Sequence, residues 1–234
     1  MDRNREHVNR RKDLTREDPF AWCSRAARKL RTLWVAWTYP FASFGKGVGM
    51  HFRCRMSRAA ARYIQIGDDV ILSRGVRINA CPNPGADPPA LILEKGVGVQ
   101  RRCVISVRNR VHIMQHVIMG PAAVVMDHSE ELVYSTNSSG RLKHGGRGTI
   151  LIEEGCWIGS RAKIVCEHDE LVIGRNSIIG ANCLVTHSIP SYSVVMGNPS
   201  SIVRQYDISK GKWVVGSIRS ANGQAAHPKT RAYS

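Results

Sequence analysis

The sequence predicts a mainly β protein, a parallel β-helix wound from hexapeptide repeats with a helical segment ahead of it. Three observations carry that prediction. Aliphatic or Met residues recur at intervals of six in five blocks: Ile66, Leu72, Ile78; Leu93, Val99, Ile105; Ile113, Met119, Val125; Ile152, Ile158, Ile164; Ile173, Ile179, Val185. A smaller residue follows most of them four positions on, as at Val70, Val76, Val97, Cys103, Val117, Ala123, Cys156, Ala162, Ser177 and Cys183. Aromatics make up only 6% of the 234 residues while Gly occurs 21 times, which suits a chain that turns often and packs small side chains.

A period of six is neither the two of a half-buried strand nor the 3.6 of an amphipathic helix. A short strand plus a tight corner fills one such unit, and three units close a triangular coil. The aliphatic residue then points inward on each face, and the smaller one fits where the corner narrows. Stacked coils pair every strand with the coils above and below, so the core grows in one dimension. Gly stands directly after the aliphatic residue at Gly67, Gly120, Gly159, Gly174 and Gly180, where it is expected to serve the corner backbone.

The repeats bound the organisation. Residues 63–206 form the expected β-helix domain, 1–62 a basic arm with a helical segment, and 207–234 a basic, mobile tail. Residues 81–90 are a Pro-rich loop, and residues 129–148 break the hexads completely. An excluded loop of that length in a compact repeat protein is expected to be functional or disordered, and seldom neutral. Upstream, Leu30, Leu33, Trp34, Trp37, Phe41 and Phe44 give an apolar stripe at helical spacing, with Pro40 ending the helix. Two readings stand for it: a helix packed on the end of the β-helix, or an interfacial helix giving peripheral membrane contact, with Arg25, Arg28, Lys29 and Arg31 beside the Trp residues.

The formal charge of +16 sits mostly outside the repeats. Residues 1–62 carry 15 Lys/Arg against 5 Asp/Glu, the tail 207–234 carries 5 against Asp207 alone, and the body between is near neutral at +2. No nucleic-acid motif accompanies that charge, so no nucleic-acid partner is expected. Of the seven cysteines, Cys103, Cys156 and Cys183 fall on one repeating position and read as small packing residues. With no metal-type CxxC pair, a reducing, cytoplasmic setting is expected. The N-terminus begins with charged residues and shows no apolar h-region, and no stretch reaches the length of a membrane span.

Asp127-His128-Ser129 stands immediately ahead of the excluded loop; "EGCWIGSRAKI" spans 154–164 and "IGANCLVTHSIPSYSVVMGNPSSIVR" spans 179–204. With the hexads, these segments resemble the hexapeptide-repeat acyltransferases over residues 63–206. Among these the chain is most similar to the maltose, galactoside and colanic acid O-acetyltransferases. The resemblance implies a left-handed parallel β-helix, an exception to the right-handed crossover rule. It implies a homotrimer with active sites in the clefts between neighbouring β-helices. It also implies acetyl-CoA as cosubstrate, a sugar or glycan hydroxyl as acceptor, and no metal.

By that resemblance His128 is the catalytic base. A sugar hydroxyl is a poor nucleophile at neutral pH; a neutral imidazole that takes its proton contributes about 10² to 10⁴-fold, and a reference pKa of about 6.5 leaves His largely unprotonated there. Asp127 is placed in the catalytic set too, although strand neighbours point to opposite faces, so it orients either the imidazole or a loop. His144, in the excluded loop, is a candidate acceptor contact. On the donor side Trp157 lines the cleft or is a plain wall residue, the backbone at Gly159, Ser160 and Ala181 meets the pantetheine arm, and Thr186 and Arg204 lie near the nucleotide end. His187 and Ser201 stand where relatives carry cations, so two donor-side charges are missing. His112 and His116 raise a zinc site like that of the γ-class carbonic anhydrases, but their spacing does not match that pattern. N-acetylation of an amino sugar nucleotide and a non-catalytic β-helix scaffold are the alternatives to O-acetylation.

Overall fold

The computed structural model describes residues 19–82, 89–133, 141–145 and 148–215. Three parallel sheets form the faces of a triangular prism, and consecutive strands step from face to face. The first face runs from Ser43–Phe44 through Ile64–Ile66, Leu91–Leu93, Arg110–Ile113 and Thr149–Ile152 to Glu170–Ile173. The second carries Gly49–Met50, Ile71–Leu72, Gly98–Val99, Ile118–Met119, Trp157–Ile158 and Ile178–Ile179, and the third Arg55–Met56 through Leu184–Val185. All fifteen hexad positions are buried, and so are all ten of the smaller corner residues named above. Each aliphatic side chain taken from water in this way contributes about 1.5–3 kcal/mol. In-register parallel pairs, such as Met119 between Val99 and Ile158, stack like residues above one another along the core.

A coil lies upstream of the expected boundary at residue 63. Ser43–Phe44, Gly49–Met50 and Arg55–Met56 pair with the strands of the next coil. That coil is short of hexad signal because the aromatic Phe44 stands where later coils carry an aliphatic residue ahead of the glycine.

The glycines after the aliphatic residues serve another purpose than expected. None of the five has a positive φ. A Cβ at Gly159 would lie 2.6 Å from the backbone of Gly180 and Ala181 in the next coil, and one at Gly120 would lie 2.8 Å from Ser160 N. Close stacking of coils therefore excludes a side chain there. The left-handed corner slot lies two residues further on.

Helix α1 (Pro19–Thr38) covers the N-terminal end of the prism. It packs through Thr32 and Val35, which are buried, and the Thr32 hydroxyl accepts the backbone N–H of Met50 at 3.2 Å. The expected apolar stripe is not the packing face. Leu30, Leu33, Trp34 and Trp37 point to solvent, Trp37 at 87% exposure, and only Phe41 and Phe44 past the helix pack on the core. At the other end Ser193–Met196 adds a parallel strand to the second face, and Ser201–Asp207 and Lys212–Val215 extend it as antiparallel strands. The start of the expected mobile tail is thus a strand, and residues 216–234 lie outside the described ones. The excluded loop returns as an antiparallel hairpin, Ser129–Val133 against Arg141–Gly145.

Candidate functional site

The third corner, where the third face turns back to the first, holds Asp127 and His128. The chain leaves strand Val124–Met126 into a bend here, so strand alternation does not apply and both side chains turn inward. His128 Nδ1 lies 2.9 Å from Asp127 Oδ1, and both residues are buried. The same carboxylate accepts two backbone N–H bonds at 2.7 Å, Oδ1 from Arg108 and Oδ2 from Asn109. Asp127 thus holds the preceding corner and the imidazole together. A carboxylate accepts, so an Nδ1–H donated to Asp127 leaves the imidazole lone pair on Nε2. Ser106 Oγ stands 3.5 Å from Nε2, and Asn109 Nδ2 donates to Gly148 O at 3.2 Å, tying the far end of the excluded loop to this corner. Arg108 and Asn109 were not among the expected site residues. Their signal is the step of eight, not six, between Ile105 and Ile113.

The donor-side candidates divide between two corners. Gly159, Ser160 and Ala181 occupy the second corner, between the second and third faces. Ser160 and Ala181 line a cavity of about 1270 Å³ that runs along this corner, to which neither Asp127 nor His128 contributes. Gly159 is buried and is glycine for the stacking reason above, whatever approaches it. Thr186 follows Val185 as Met126 follows Val125, which sets it on the third-corner column, two coils beyond His128. Arg204 is exposed on the antiparallel strand opposite Val194. Trp157 projects from the second face, 52% exposed, between Ile118 and Ile178 in adjacent strands. His144 lies opposite Glu130 in the hairpin, and its side chain is outside the described residues.

Other reactive groups are otherwise engaged. His112 Nε2 lies 2.7 Å from Glu94 Oε1, and His116 sits at a corner with φ of 58°. Among the described residues no three His, Cys, Asp or Glu side chains group to hold a metal ion. Burial pushes the Cys103 and Cys156 thiols up to about 11, and raises Cys183 as well. Such thiols are poor nucleophiles.

Among solved structures, AntD, an N-acyltransferase from Bacillus cereus in complex with dTDP and 3-hydroxybutyryl-CoA, matches at a TM-score of 0.58, covering 79% of this chain and 90% of that one at 13% identity. With three stacked parallel faces and that overlap, the architecture is decided. The chain has the left-handed β-helix fold of the hexapeptide-repeat acyltransferases. In sequence, this hexapeptide-repeat chain is 37% identical over 60 residues to a Staphylococcus aureus (strain COL) protein named "Putative acetyltransferase", covering 26% of this chain and 29% of that one. It is 31% identical over 94 residues to the serine acetyltransferase of Escherichia coli (strain K12), covering 40% of this chain and 33% of that one. The hexapeptide-repeat chain thus spans about a third of the length of the curated relatives it matches. No protein-family model matches it. No helix among the described residues is long and apolar enough to cross a membrane.

Proposed function

We propose that this chain transfers an acetyl group from acetyl-CoA to a hydroxyl of a sugar or polysaccharide precursor, with His128 as general base. The observation that carries the proposal is the buried Asp127–His128 pair, in which Nδ1 lies 2.9 Å from the carboxylate and Nε2 is the other ring nitrogen. In the reaction, Nε2 takes the acceptor hydroxyl proton as the oxygen attacks the thioester carbonyl. The tetrahedral intermediate collapses with loss of the CoA thiolate, and the imidazolium returns the proton to that sulfur. Asp127 holds the ring and stabilises the imidazolium without taking the proton. The high thiols of the repeat interior support direct transfer over an acyl-enzyme.

The division of the candidate residues supports a site shared between copies. With chains side by side at equal height, the third corner of one, bearing His128 and Thr186, faces the second corner of the next, bearing Ser160 and Ala181. The exposed ladder Ile71, Trp157 and Ile178 on the second face is the apolar surface such an assembly would cover. A trimer closes this head-to-tail contact.

The test is free-thiol release from acetyl-CoA by wild type and His128→Ala, with sugars, amino sugars, sugar nucleotides and oligosaccharides as acceptors. Release that requires a hydroxyl acceptor and is lost in the variant is the expected result. Full activity in His128→Ala, or acetyl-Cys trapped on the protein, would remove the mechanism. Preference for an amino acceptor would move the reaction to N-acetylation.

A further inference from the structure

The second corner carries far more positive charge than the near-neutral body implies. Three successive coils bring Arg53 and Arg55, Arg74 and Arg77, and Arg101 and Arg102 to the wall of the cavity. Arg161 joins them two coils further on, and α1 adds Arg31, whose Nε is buried without a hydrogen-bond partner among the described residues. Among the described residues, no Asp or Glu lines this cavity. Among the described residues, none of these eight guanidinium groups pairs with a carboxylate; Arg53 lies over the Phe52 ring at 5.5 Å. Five acids of the body, Asp68, Asp69, Glu94, Glu153 and Glu154, lie instead at the first corner.

Two features show that the arrangement opposes stability. Arg55 and Arg77 stand in direct register on neighbouring strands, where like charges repel. Arg102 and Arg161 adopt φ of 61° and 57° at the corner slot that Gly75 and Asn182 fill in other coils, a conformation that long side chains seldom take. Unneutralised charge in a concave wall focuses a field that attracts anions, and guanidinium is the group suited to bidentate capture of carboxylate or phosphate.

We propose that this arginine groove binds the acceptor, and that the acceptor is an acidic glycan bearing carboxylate or phosphate groups along its length. The assignment of the groove to the acceptor rests on the acyl-transfer reading above. In that reading His128 of the neighbouring copy acts level with the coil of Pro121, and the donor runs from Ser160 and Ala181 toward Thr186 and Arg204. Arg53 through Arg102 then lie on the opposite side of the reacting centre from the donor. Stacked coils about 4.8 Å apart put the guanidinium groups from Arg53 to Arg102 over roughly 10 Å, with Arg161 beyond them on the donor side. That is a track for distributed charge, longer than one diphosphate needs.

The test titrates the full chain calorimetrically with coenzyme A, an oligogalacturonate, neutral maltoheptaose, UDP and duplex DNA, the last four also with CoA at saturation. Oligogalacturonate should bind the CoA-saturated protein and maltoheptaose should not. The double variant Arg74→Gln/Arg101→Gln should weaken oligogalacturonate at least tenfold and leave CoA affinity within twofold. Both side chains are exposed, and an unchanged melting temperature verifies the fold. The proposal is overturned if oligogalacturonate does not bind beside CoA, if the variant weakens CoA equally, or if UDP or DNA outranks oligogalacturonate. CoA binding without oligogalacturonate binding ends this proposal and leaves acyl transfer standing. Oligogalacturonate binding without CoA binding retains the acidic-glycan groove, removes its acceptor role and ends the acyl-transfer reading.

Discussion

The second and third corners are built from the same six-residue unit, yet one is open and the other closed. At the third corner the buried Asp127 receives two backbone N–H bonds and the imidazole. At the second, guanidinium groups line a cavity that has no carboxylate among its described walls. The first arrangement is finished within one chain; the second is completed only by what binds to it. The comparison teaches that the same repeat supports a rigid catalytic mount on one edge and a charged receptor on another. What differs is the chemistry at two or three positions per turn.

The contrast is sharpest where substitution should damage function and fold together or separate them. The largest effect is expected at His128: replacement by Ala should lower turnover about 10² to 10⁴-fold with CoA binding retained, checked by steady-state thiol release beside calorimetry. Met119→Ala, in the core common to all three corners, should cost about 2–5 kcal/mol in denaturant unfolding. Asp127→Ala should cost about 1–3 kcal/mol, because it strands the Arg108 and Asn109 amides, and turnover should fall as well. At the open corner the sign reverses. Arg77→Gln, which relieves the repulsion with Arg55, should stabilise the fold by about 0.2–1 kcal/mol in the same unfolding assay, while oligogalacturonate binding weakens. A loss of stability there would break the comparison.

A smaller effect concerns pH. Burial pushes Cys54, Cys103 and Cys156 from 9.0 up to about 11. These thiols stay protonated in the folded chain while their unfolded counterparts ionise, so their contribution is full below pH 9 and is lost as pH rises toward 11. Unfolding midpoints measured from pH 8 to 11 should fall, and a Cys103→Ala/Cys156→Ala variant should fall less.

The prism was legible in the sequence because its core has one period, and every hexad position is buried. The first coil opens without that signal, since the aromatic Phe44 takes the aliphatic place, so its start at Ser43 was hidden. His128 was legible by resemblance, but the contact of Asp127 with its ring was not, since it depends on a bend that ends strand alternation. The arginine groove was masked by counting charge along the chain. Acids at the first corner cancel arginines at the second in the sum and not in space. A count taken by position within the hexad would have separated them. The outward turn of Leu30, Leu33, Trp34 and Trp37 was hidden as well, because helical spacing shows a stripe without showing which stripe meets the core.

The central claim is that the closed corner of one chain works against the open corner of another. Mixing two inactive chains tests it most directly: His128→Ala, which keeps the donor corner, and Ala181→Trp, which blocks it and keeps His128. After co-refolding, thiol release well above that of either variant alone is expected, because some clefts pair an intact His128 with an intact second corner. Mixed assemblies that form, yet remain as inactive as their parents, would contradict a site shared between copies.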